Sequence, residues 1–146
     1  MSVAIRLATP LDGEKLWALA EEFLASQMEF GAPDQRKALA LALKHGIDSG
    51  GAVVVAEQNG ELVGFVAWTA HPGAADGEAV GFGTYVKPDH RKHGFSERMR
   101  DFAKRHLRHQ GISFVTGAVR DNNIPGLASA RTSGGRIVGY IVEWKL

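Results

Sequence analysis

The chain has 146 residues, of which 45% are hydrophobic and 23% are charged, as in an ordinary globular domain. It has no cysteine, which excludes a disulfide framework, a thiol nucleophile and a Cys-based zinc site. The net charge of +1 hides an asymmetry, because residues 1–70 hold five Lys or Arg and nine Asp or Glu, whereas residues 71–146 hold twelve and seven. We therefore expect one domain, residues 1–146, whose second half meets an anionic partner.

Hydrophobic alternation and turn residues predict ten elements in the order β-α-α-β-β-β-α-β-α-β. The six strands are predicted at residues 3–8, 52–58, 61–70, 78–87, 113–119 and 137–145. The four helices are predicted at residues 10–30, 34–49, 96–110 and 125–133. Asp12 follows Thr9 at the spacing of a capping box. Asn59 with Gly60 predicts a hairpin turn.

A hairpin followed by two β-α units predicts an α/β (α+β) fold with a mixed central sheet and helices on its faces. No apolar run reaches the roughly 18 residues of a membrane span, and the first residues lack the apolar core of a signal peptide. We therefore expect a cytoplasmic protein with no membrane partner. The six histidines show no zinc-binding spacing, so we expect no metal.

The most informative stretch joins the strand that ends near Val86 to the following helix. Its loop holds Arg91, Lys92 and His93, and Gly94 lets the backbone come close to a ligand. The first N–H groups of a helix lack internal partners and carry partial positive charge. The stretch therefore predicts a phosphate or pyrophosphate site, although neither a Walker loop nor a dinucleotide fingerprint is present.

The same stretch matches a known pattern, V-x-P-x-x-R-x-x-G-x-[G/A]. The matching positions are Val86, Pro88, Arg91, Gly94 and Ser96, where serine replaces the second small residue. The pattern resembles the acetyl-CoA signature of the GNAT N-acetyltransferase superfamily, and the order of elements resembles that family over nearly the whole chain. The resemblance implies a GNAT-like fold, acetyl-CoA as donor substrate, and acetyl transfer to a primary amine by direct attack in a ternary complex.

The resemblance also implies where the cofactor binds. Main-chain groups of Thr84, Tyr85 and Val86 would pair with the pantetheine arm like an added strand, and the Val86 N–H would stabilise the oxyanion. Backbone N–H groups would wrap the pyrophosphate along Lys92, His93, Gly94, Phe95, Ser96 and Glu97. Strand 113–119 would diverge from strand 78–87 and leave a gap for the cofactor.

Two glycines bear on that gap independently of the resemblance. Gly81 and Gly83 lie inside a predicted strand, where glycine marks either a bulge or close packing against a large neighbour. Both interpretations stay open at this point.

Downstream, the family has an Asn that begins a short helix and, seven residues later, a Tyr that protonates the leaving thiolate. Asn123 fits the first position, where it would contact the pantetheine or support the turn, and Ala130 occupies the second. A thiolate with a pKa near 8.5 can leave without a strong acid, so activity is not excluded. The missing Tyr motivates an alternative, a non-catalytic acyl-CoA-binding or regulatory module.

An amine must lose a proton before it attacks, so a base is needed. Glu78, at the start of the strand that leads to Val86, is the first candidate, and His71 in the preceding loop is the second. The acidic first two helices would receive a cationic amine, either a small molecule or a protein. The basic helix alternatively suggests a nucleic-acid partner. No aromatic residues interleave with its Lys and Arg side chains, so we rank this hypothesis last. The last strand could pair across a homodimer.

Overall fold

The structure is a computed structural model that describes residues 2–70 and 75–146. His71, the second candidate base, lies outside the described residues. The described strands are Ala4–Leu7 (β1), Ala52–Gln58 (β2), Glu61–Thr69 (β3), Glu78–Val86 (β4) and Phe114–Gly117 (β5). The described helices are Gly13–Glu29 (α1), Arg36–Asp48 (α2), Phe95–His109 (α3) and Ile124–Thr132 (α4).

The strands form one sheet in the order β1-β2-β3-β4-β5. Neighbours are antiparallel from β1 to β4, whereas β4 and β5 are parallel. The antiparallel pairing of β2 with β3 follows from the Asn59–Gly60 turn, which joins the two strands with both residues at positive φ. The predicted fold class, a mixed sheet flanked by helices, is confirmed.

Each face of the sheet supports its own hydrophobic core. Val53 and Val55 of β2 pack towards α1 and α2, whereas Val54 between them packs towards α3. All three valines are buried, which confirms that the valine run is a strand covered on both faces. The sheet therefore separates an α1–α2 side from an α3 side.

A buried carboxylate joins the start of α1 to the sheet. Asp12 ends a short 3₁₀ turn, Pro10–Asp12, and accepts a 2.8 Å hydrogen bond from the Thr9 N–H, as the capping pattern predicts. Arg6 of β1 donates to both Asp12 carboxylate oxygens, at 2.8 and 2.9 Å. These contacts hold the pKa of Asp12 at about 2, with the Arg6 hydrogen bond as the largest cause.

The prediction of a last strand at 137–145 is wrong for this structure. Residues 136–146 have no regular secondary structure and are exposed along their length. Alternating apolar residues give strand propensity, but a strand forms only where another strand offers its hydrogen-bonding edge. Among the described helices, none is long and apolar enough to cross a membrane.

Candidate active site

A bulge in β4 opens the sheet. The β3–β4 register passes from Ala67↔Gly83 to Trp68↔Gly81, so β4 carries one extra residue there. The pairing of β4 with β5 stops at the same point, at Gly81↔Gly117. Both the predicted bulge and the predicted divergence of the two strands are confirmed.

The two glycines at the bulge also pack closely against aromatic side chains. A Cβ on Gly83 would lie 2.8 Å from the Phe23 ring of α1, and one on Gly81 would lie 3.4 Å from Trp68. Both interpretations of these glycines therefore hold together. The absent side chain of Gly83 lets α1 press onto the α1–α2 face of β4 at the bulge, and that of Gly81 leaves room for Trp68.

Beyond the bulge, the main chain of β4 faces the gap. The Lys87 N–H donates to the Val63 carbonyl at 2.9 Å, towards β3. Successive residues of a strand point their N–H and C=O groups to opposite sides, so those of Val86 and Thr84 point away from β3. In the described part of the chain no strand pairs with β4 on that side from Thr84 to Val86.

Arg91 turns back from the loop onto this edge. Its Nε donates a 2.9 Å hydrogen bond to the Val86 carbonyl. Its guanidinium also lies 5.5 Å from the centre of the Tyr85 ring, a cation–π contact. Arg91 was predicted to add charge for the phosphates. The structure shows a second task, because the same side chain holds the Val86 peptide in place.

The loop that follows has the backbone of an anion site. Lys92 has φ +65° and Gly94 has φ +77°, and both are exposed. The first intrahelical bond of α3 runs from the Arg98 N–H to the Gly94 carbonyl at 3.0 Å. The N–H groups of the residues between them therefore have no intrahelical partner, as the phosphate prediction requires. A Cβ on Gly94 would meet no protein atom within 4 Å, so space for a ligand lies beside it.

The remaining predicted phosphate residues lie around this helix start. His93 is exposed and its ring lies 5.8 Å from that of Phe95. Phe95 and Ser96 are half-buried at the beginning of α3, and Glu97 is exposed in its first turn. The structure thus brings all of them to one helix terminus beside the open edge of β4.

An acidic residue of α1, Glu22, contacts β4 next to Val86 from the α1–α2 face of the sheet. The Tyr85 hydroxyl donates to Glu22 Oε1 at 3.3 Å. Burial, followed by the Glu22 charge, raises the pKa of Tyr85. Glu22 is exposed, and through Tyr85 it lies one residue from Val86 along β4. Sequence reasoning placed Glu22 only among the acidic residues of the first two helices, because no local pattern signals a contact between residues 63 positions apart.

The structure does not bring Glu78 to Val86. Its carboxylate accepts hydrogen bonds from the Ala75 N–H at 2.9 Å and the Thr116 hydroxyl at 2.7 Å. These two bonds, in that order, lower the pKa of Glu78. Eight residues of strand separate Glu78 from Val86, which at about 3.3 Å per residue is roughly 26 Å. Glu78 instead ties the start of β4 to β5.

Asn123 has a structural task in this chain. It is buried at the start of α4, and its Oδ1 accepts a 2.9 Å hydrogen bond from the Gly126 N–H. The predicted support of the turn is thereby confirmed, and contact with a cofactor stays a prediction. Ala130 lies half-buried within α4, seven residues after this cap.

Several basic residues of α3 form hydrogen bonds to other parts of the fold. Arg98 donates to the Val3 carbonyl at 3.4 Å, and Arg100 donates to the Ser129 hydroxyl at 3.4 Å. Lys104 donates to the Ser133 carbonyl at 3.3 Å. Burial lowers the pKa of Arg100. The positive charge of the second half is therefore partly structural, whereas Arg91, Lys92 and His93 of the loop are exposed.

On the α1–α2 side, a pocket of about 110 Å³ opens beside the bulge. Its lining combines aromatic, aliphatic and amide side chains, namely Phe23, Leu24, Gln35, Ala38, Leu39 and Phe82. Trp68 lies outside this pocket and packs with the core on the α3 side.

Comparisons with known proteins agree with this geometry. The sequence profile described as "Acetyltransferase (GNAT) family" matches residues 16–134. No curated protein matches the sequence significantly.

Solved structures share the fold at low sequence identity. An aminoglycoside N-acetyltransferase, AAC(6')-Iy, in complex with a bisubstrate analogue, is 14% identical, with a TM-score of 0.78 over 100% of this chain and 99% of that chain. The PaiA N-acetyltransferase of Thermoplasma acidophilum with coenzyme A is 18% identical, with a TM-score of 0.73 over 92% and 89%. A ribosomal-protein-alanine N-acetyltransferase from Brucella melitensis is 19% identical, with a TM-score of 0.69 over 99% and 100%.

Proposed function

Because the chain belongs to the GNAT acetyltransferase family, we propose that it binds acetyl-CoA and transfers the acetyl group to a primary amine. One observation carries the proposal. The free main-chain edge of β4, from Thr84 to Val86, lies beside an α3 terminus that presents unpartnered N–H groups. A molecule with an extended amide arm and a pyrophosphate matches both features at once.

Acetyl-CoA fits this edge in a defined orientation. The pantetheine amides pair with Thr84 and Val86 across the gap that β5 leaves, and the pyrophosphate lies on the backbone from Lys92 to Glu97. In this scheme Asn123 assists the pantetheine, as the family pattern implies. Structures of similar fold that contain CoA or a CoA-linked analogue support this donor.

The chemistry is acyl transfer with direct attack. The amine nitrogen bonds to the thioester carbonyl carbon and loses its second proton to water, the C–S bond then breaks, and CoA leaves as the thiolate. The negative charge that develops on the carbonyl oxygen is stabilised by the Val86 N–H, which points into the gap. Arg91 holds the main chain on the other side of the Val86 Cα, through its bond to the Val86 carbonyl, and so helps to orient that N–H.

Two carboxylates compete for the proton that the amine must release. Glu78 lies roughly 26 Å along the strand from Val86, and both of its oxygens already accept hydrogen bonds. Glu22 lies against Tyr85 on the α1–α2 side, and its chain neighbour Phe23 lines the small pocket at the bulge. We assign to Glu22 the binding of the ammonium group and the removal of its proton, directly or through water.

The leaving group needs no side-chain acid in this scheme. Ala130 provides none, and a thiolate with a pKa near 8.5 departs at neutral pH and takes a proton from water. The same residue is the reason to keep one alternative function, a module that binds acyl-CoA without catalysing transfer.

One assay distinguishes acetyl transfer from acyl-CoA binding without catalysis. Release of CoA thiol from acetyl-CoA is measured with a panel of small amines and of peptides with free N-termini or lysines. If the protein catalyses transfer, thiol release should depend on one class of amine. The product should be heavier than that amine by one acetyl group. Tight acetyl-CoA binding without amine-dependent release by any member would favour the non-catalytic module.

The base assignment is tested with a matched pair of variants. We expect Glu22→Gln to lower kcat/KM for the amine about 100-fold and to remove the ionisation of that group from the pH–rate profile. Glu78→Gln should leave the pH–rate profile unchanged, since its carboxylate only joins β4 to β5. A changed profile in Glu78→Gln with an unchanged one in Glu22→Gln would reverse the two roles.

A further inference from the structure

The pocket beside the bulge of β4 has an apolar lining. Leu24 of α1 and Leu39 of α2 are buried in its wall, and the rings of Phe23 and Phe82 are partly buried against the same core. Gln35, which precedes α2, supplies an amide group. Among the described residues of the lining, none carries a charge. The pocket therefore suits a neutral apolar group rather than a cation.

The volume of the pocket limits the size of that group. The pocket measures about 110 Å³, whereas an apolar cavity of about 150 Å³ holds a benzene molecule. Because the pocket is open rather than enclosed, a ring can enter with one edge outside. A branched alkyl group or a single phenyl ring therefore fits, and a fused two-ring system is too large.

One aromatic side chain connects the pocket to the proposed base. Phe23 lines the pocket, and its ring centre lies 6.3 Å from that of Tyr85. The Tyr85 hydroxyl in turn donates to Glu22, the chain neighbour of Phe23. Phe82, also in the lining, precedes Tyr85 by three residues of β4, which at about 3.3 Å per residue is roughly 10 Å. A molecule whose ammonium group lies at Glu22 can therefore fill the pocket with a group no more than roughly 10 Å from its nitrogen.

Contacts within the protein hold the walls of the pocket in place. Phe23 lies against Gly83, and its ring centre is 5.7 Å from that of Phe65. The loop between α1 and α2 is tied to the segment after β5, because Arg120 donates a 2.8 Å hydrogen bond to the Gly31 carbonyl. A pocket with fixed walls loses little conformational entropy on binding, so burial of an apolar group there can contribute to selectivity.

From these observations we propose that the acceptor is a primary amine with one compact, uncharged apolar group, which enters this pocket while Glu22 binds the ammonium group. The inference rests on the proposed acetyl transfer, which it narrows from any primary amine to this class. Such a group occurs in branched or aryl alkylamines and equally in peptides that begin with leucine or phenylalanine. A second cationic group would lose its hydration in an uncharged lining without gaining a partner.

The first test compares acetylation rates for small amines whose tails differ, at equal concentrations of the unprotonated amine. The panel contains ethylamine, 3-methylbutylamine, 2-phenylethylamine, 2-(1-naphthyl)ethylamine and 1,5-diaminopentane. Each buried CH₂ group favours binding by about fourfold. We therefore expect kcat/KM for 3-methylbutylamine and 2-phenylethylamine to exceed that for ethylamine at least 10-fold. The two-ring amine and the diamine should stay within about threefold of ethylamine.

The second test fills the pocket by substitution. Ala38→Leu adds three carbon atoms to the lining. It should lower the ratio of kcat/KM for 2-phenylethylamine to that for ethylamine at least 10-fold. Ala40→Leu is the matched control, because Ala40 is exposed on the same helix but lies outside this pocket, and it should leave the ratio unchanged. Circular dichroism confirms that both variants are folded.

The same assay identifies the source of the apolar amine. Peptides that begin with leucine, phenylalanine or glycine are compared with 3-methylbutylamine and 2-phenylethylamine. If the acceptor is a polypeptide N-terminus, the leucine and phenylalanine peptides should exceed both the glycine peptide and the small amines at least 10-fold. If it is a small molecule, the two small amines should exceed all three peptides by a similar factor.

Binding without transfer separates this inference from the proposed function. Calorimetry with CoA in place of acetyl-CoA measures the affinity for each amine when no acetyl group can be transferred. Binding of 2-phenylethylamine that is tighter than that of ethylamine, and that Ala38→Leu weakens, would support the pocket even if no amine is acetylated. Acetylation with no preference among the amines, a preference for the diamine, or a ratio that Ala38→Leu leaves unchanged would overturn the inference and leave acetyl transfer intact.

Discussion

At the scale of single residues, Arg91 combines two tasks that a lysine could not combine. Its guanidinium is planar, so one face can lie over Tyr85 while Nε donates to the Val86 carbonyl. A lysine would keep the positive charge near the phosphate loop but would lose this fixed geometry. The charge and the positioning of Val86 can therefore be separated by substitution.

We expect Arg91→Lys to change the KM for acetyl-CoA less than threefold and to lower kcat about tenfold, because the Val86 N–H is no longer held. Arg91→Gln should also raise the KM, since it removes the charge. Steady-state kinetics with acetyl-CoA as the varied substrate measures both parameters. A lysine variant with a normal kcat would show that Arg91 acts only as a charge.

Asp12 is the residue whose ionisation contributes most clearly to stability. Its pKa is about 2 in the folded protein against 3.8 for a free carboxyl, so the folded state favours the ionised form. That stabilisation is fully present above about pH 4 and is lost as the pH falls towards 2. Because the Arg6 side chain is 34% exposed, we expect a contribution of about 1–2 kcal/mol.

Asp12→Asn tests this account through urea unfolding at pH 7 and at pH 2.5. The variant should be less stable than the natural chain by about 1–2 kcal/mol at pH 7, and the difference should shrink at pH 2.5. Asp48→Asn is the control, since its ion pair with Lys44 is exposed and should contribute within about 0.5 kcal/mol. A constant difference for Asp12→Asn at both pH values would contradict the ionic origin.

At the scale of elements, the contact of α1 with the bulge of β4 sets the shape of the site. Phe23 packs on Gly83 and makes edge contacts with Phe65 and Tyr85, at ring distances of 5.7 and 6.3 Å. A larger residue at position 83 would push α1 away and with it Glu22. The geometry of the acceptor side therefore depends on one missing Cβ.

Gly83→Ala should reduce stability by about 1–3 kcal/mol, because its methyl group would overlap the Phe23 ring. Adding Phe23→Leu to the same chain should recover part of that loss in thermal unfolding. Gly13→Ala is the control, since a Cβ there meets no atom within 4 Å and alanine favours a helix. An unchanged melting temperature in Gly83→Ala would mean that α1 does not rest on this glycine.

The elements also show what the sequence could predict. Nine of the ten predicted elements form, with bounds within a few residues, because each has its own periodicity and turn residues. The gap followed from the family resemblance, and the glycines within the strand indicated either a bulge or close packing, both of which are present. The absence of a strand at residues 137–145 was not predictable, since whether a strand forms depends on a hydrogen-bonding edge elsewhere in the fold.

The site was predictable only where its groups lie on the backbone. The anion site at the loop before α3 follows from local sequence and the edge at Thr84–Val86 from the family resemblance, and both have the expected backbone geometry. The inward turn of Arg91 and the contact between Glu22 and Tyr85 depend on side-chain packing across the fold. Glu78 was selected for its place on β4, but strand length separates it from Val86.

At the scale of the whole molecule, the sheet divides two tasks that the charge distribution reflects. In our proposal the open edge of β4 and the start of α3 form the cofactor side, where Arg91 and Lys92 are exposed. The α1–α2 side carries Glu22 and the small pocket, and it belongs to the half with excess negative charge. The proposed acetyl transfer would connect the two sides at Val86.

One measurement tests the central claim most directly, namely titration calorimetry of acetyl-CoA into the natural chain, Gly94→Ala and Gly111→Ala. Gly94 and Gly111 flank the two ends of α3 with nearly equal φ, +77° and +80°, and a Cβ on either meets no protein atom within 4 Å. Alanine therefore imposes the same backbone cost at both, and only position 94 adjoins the proposed pyrophosphate. The account predicts one acetyl-CoA per chain, at least tenfold weaker binding for Gly94→Ala and unchanged binding for Gly111→Ala. Equal affinities for the two variants would contradict it.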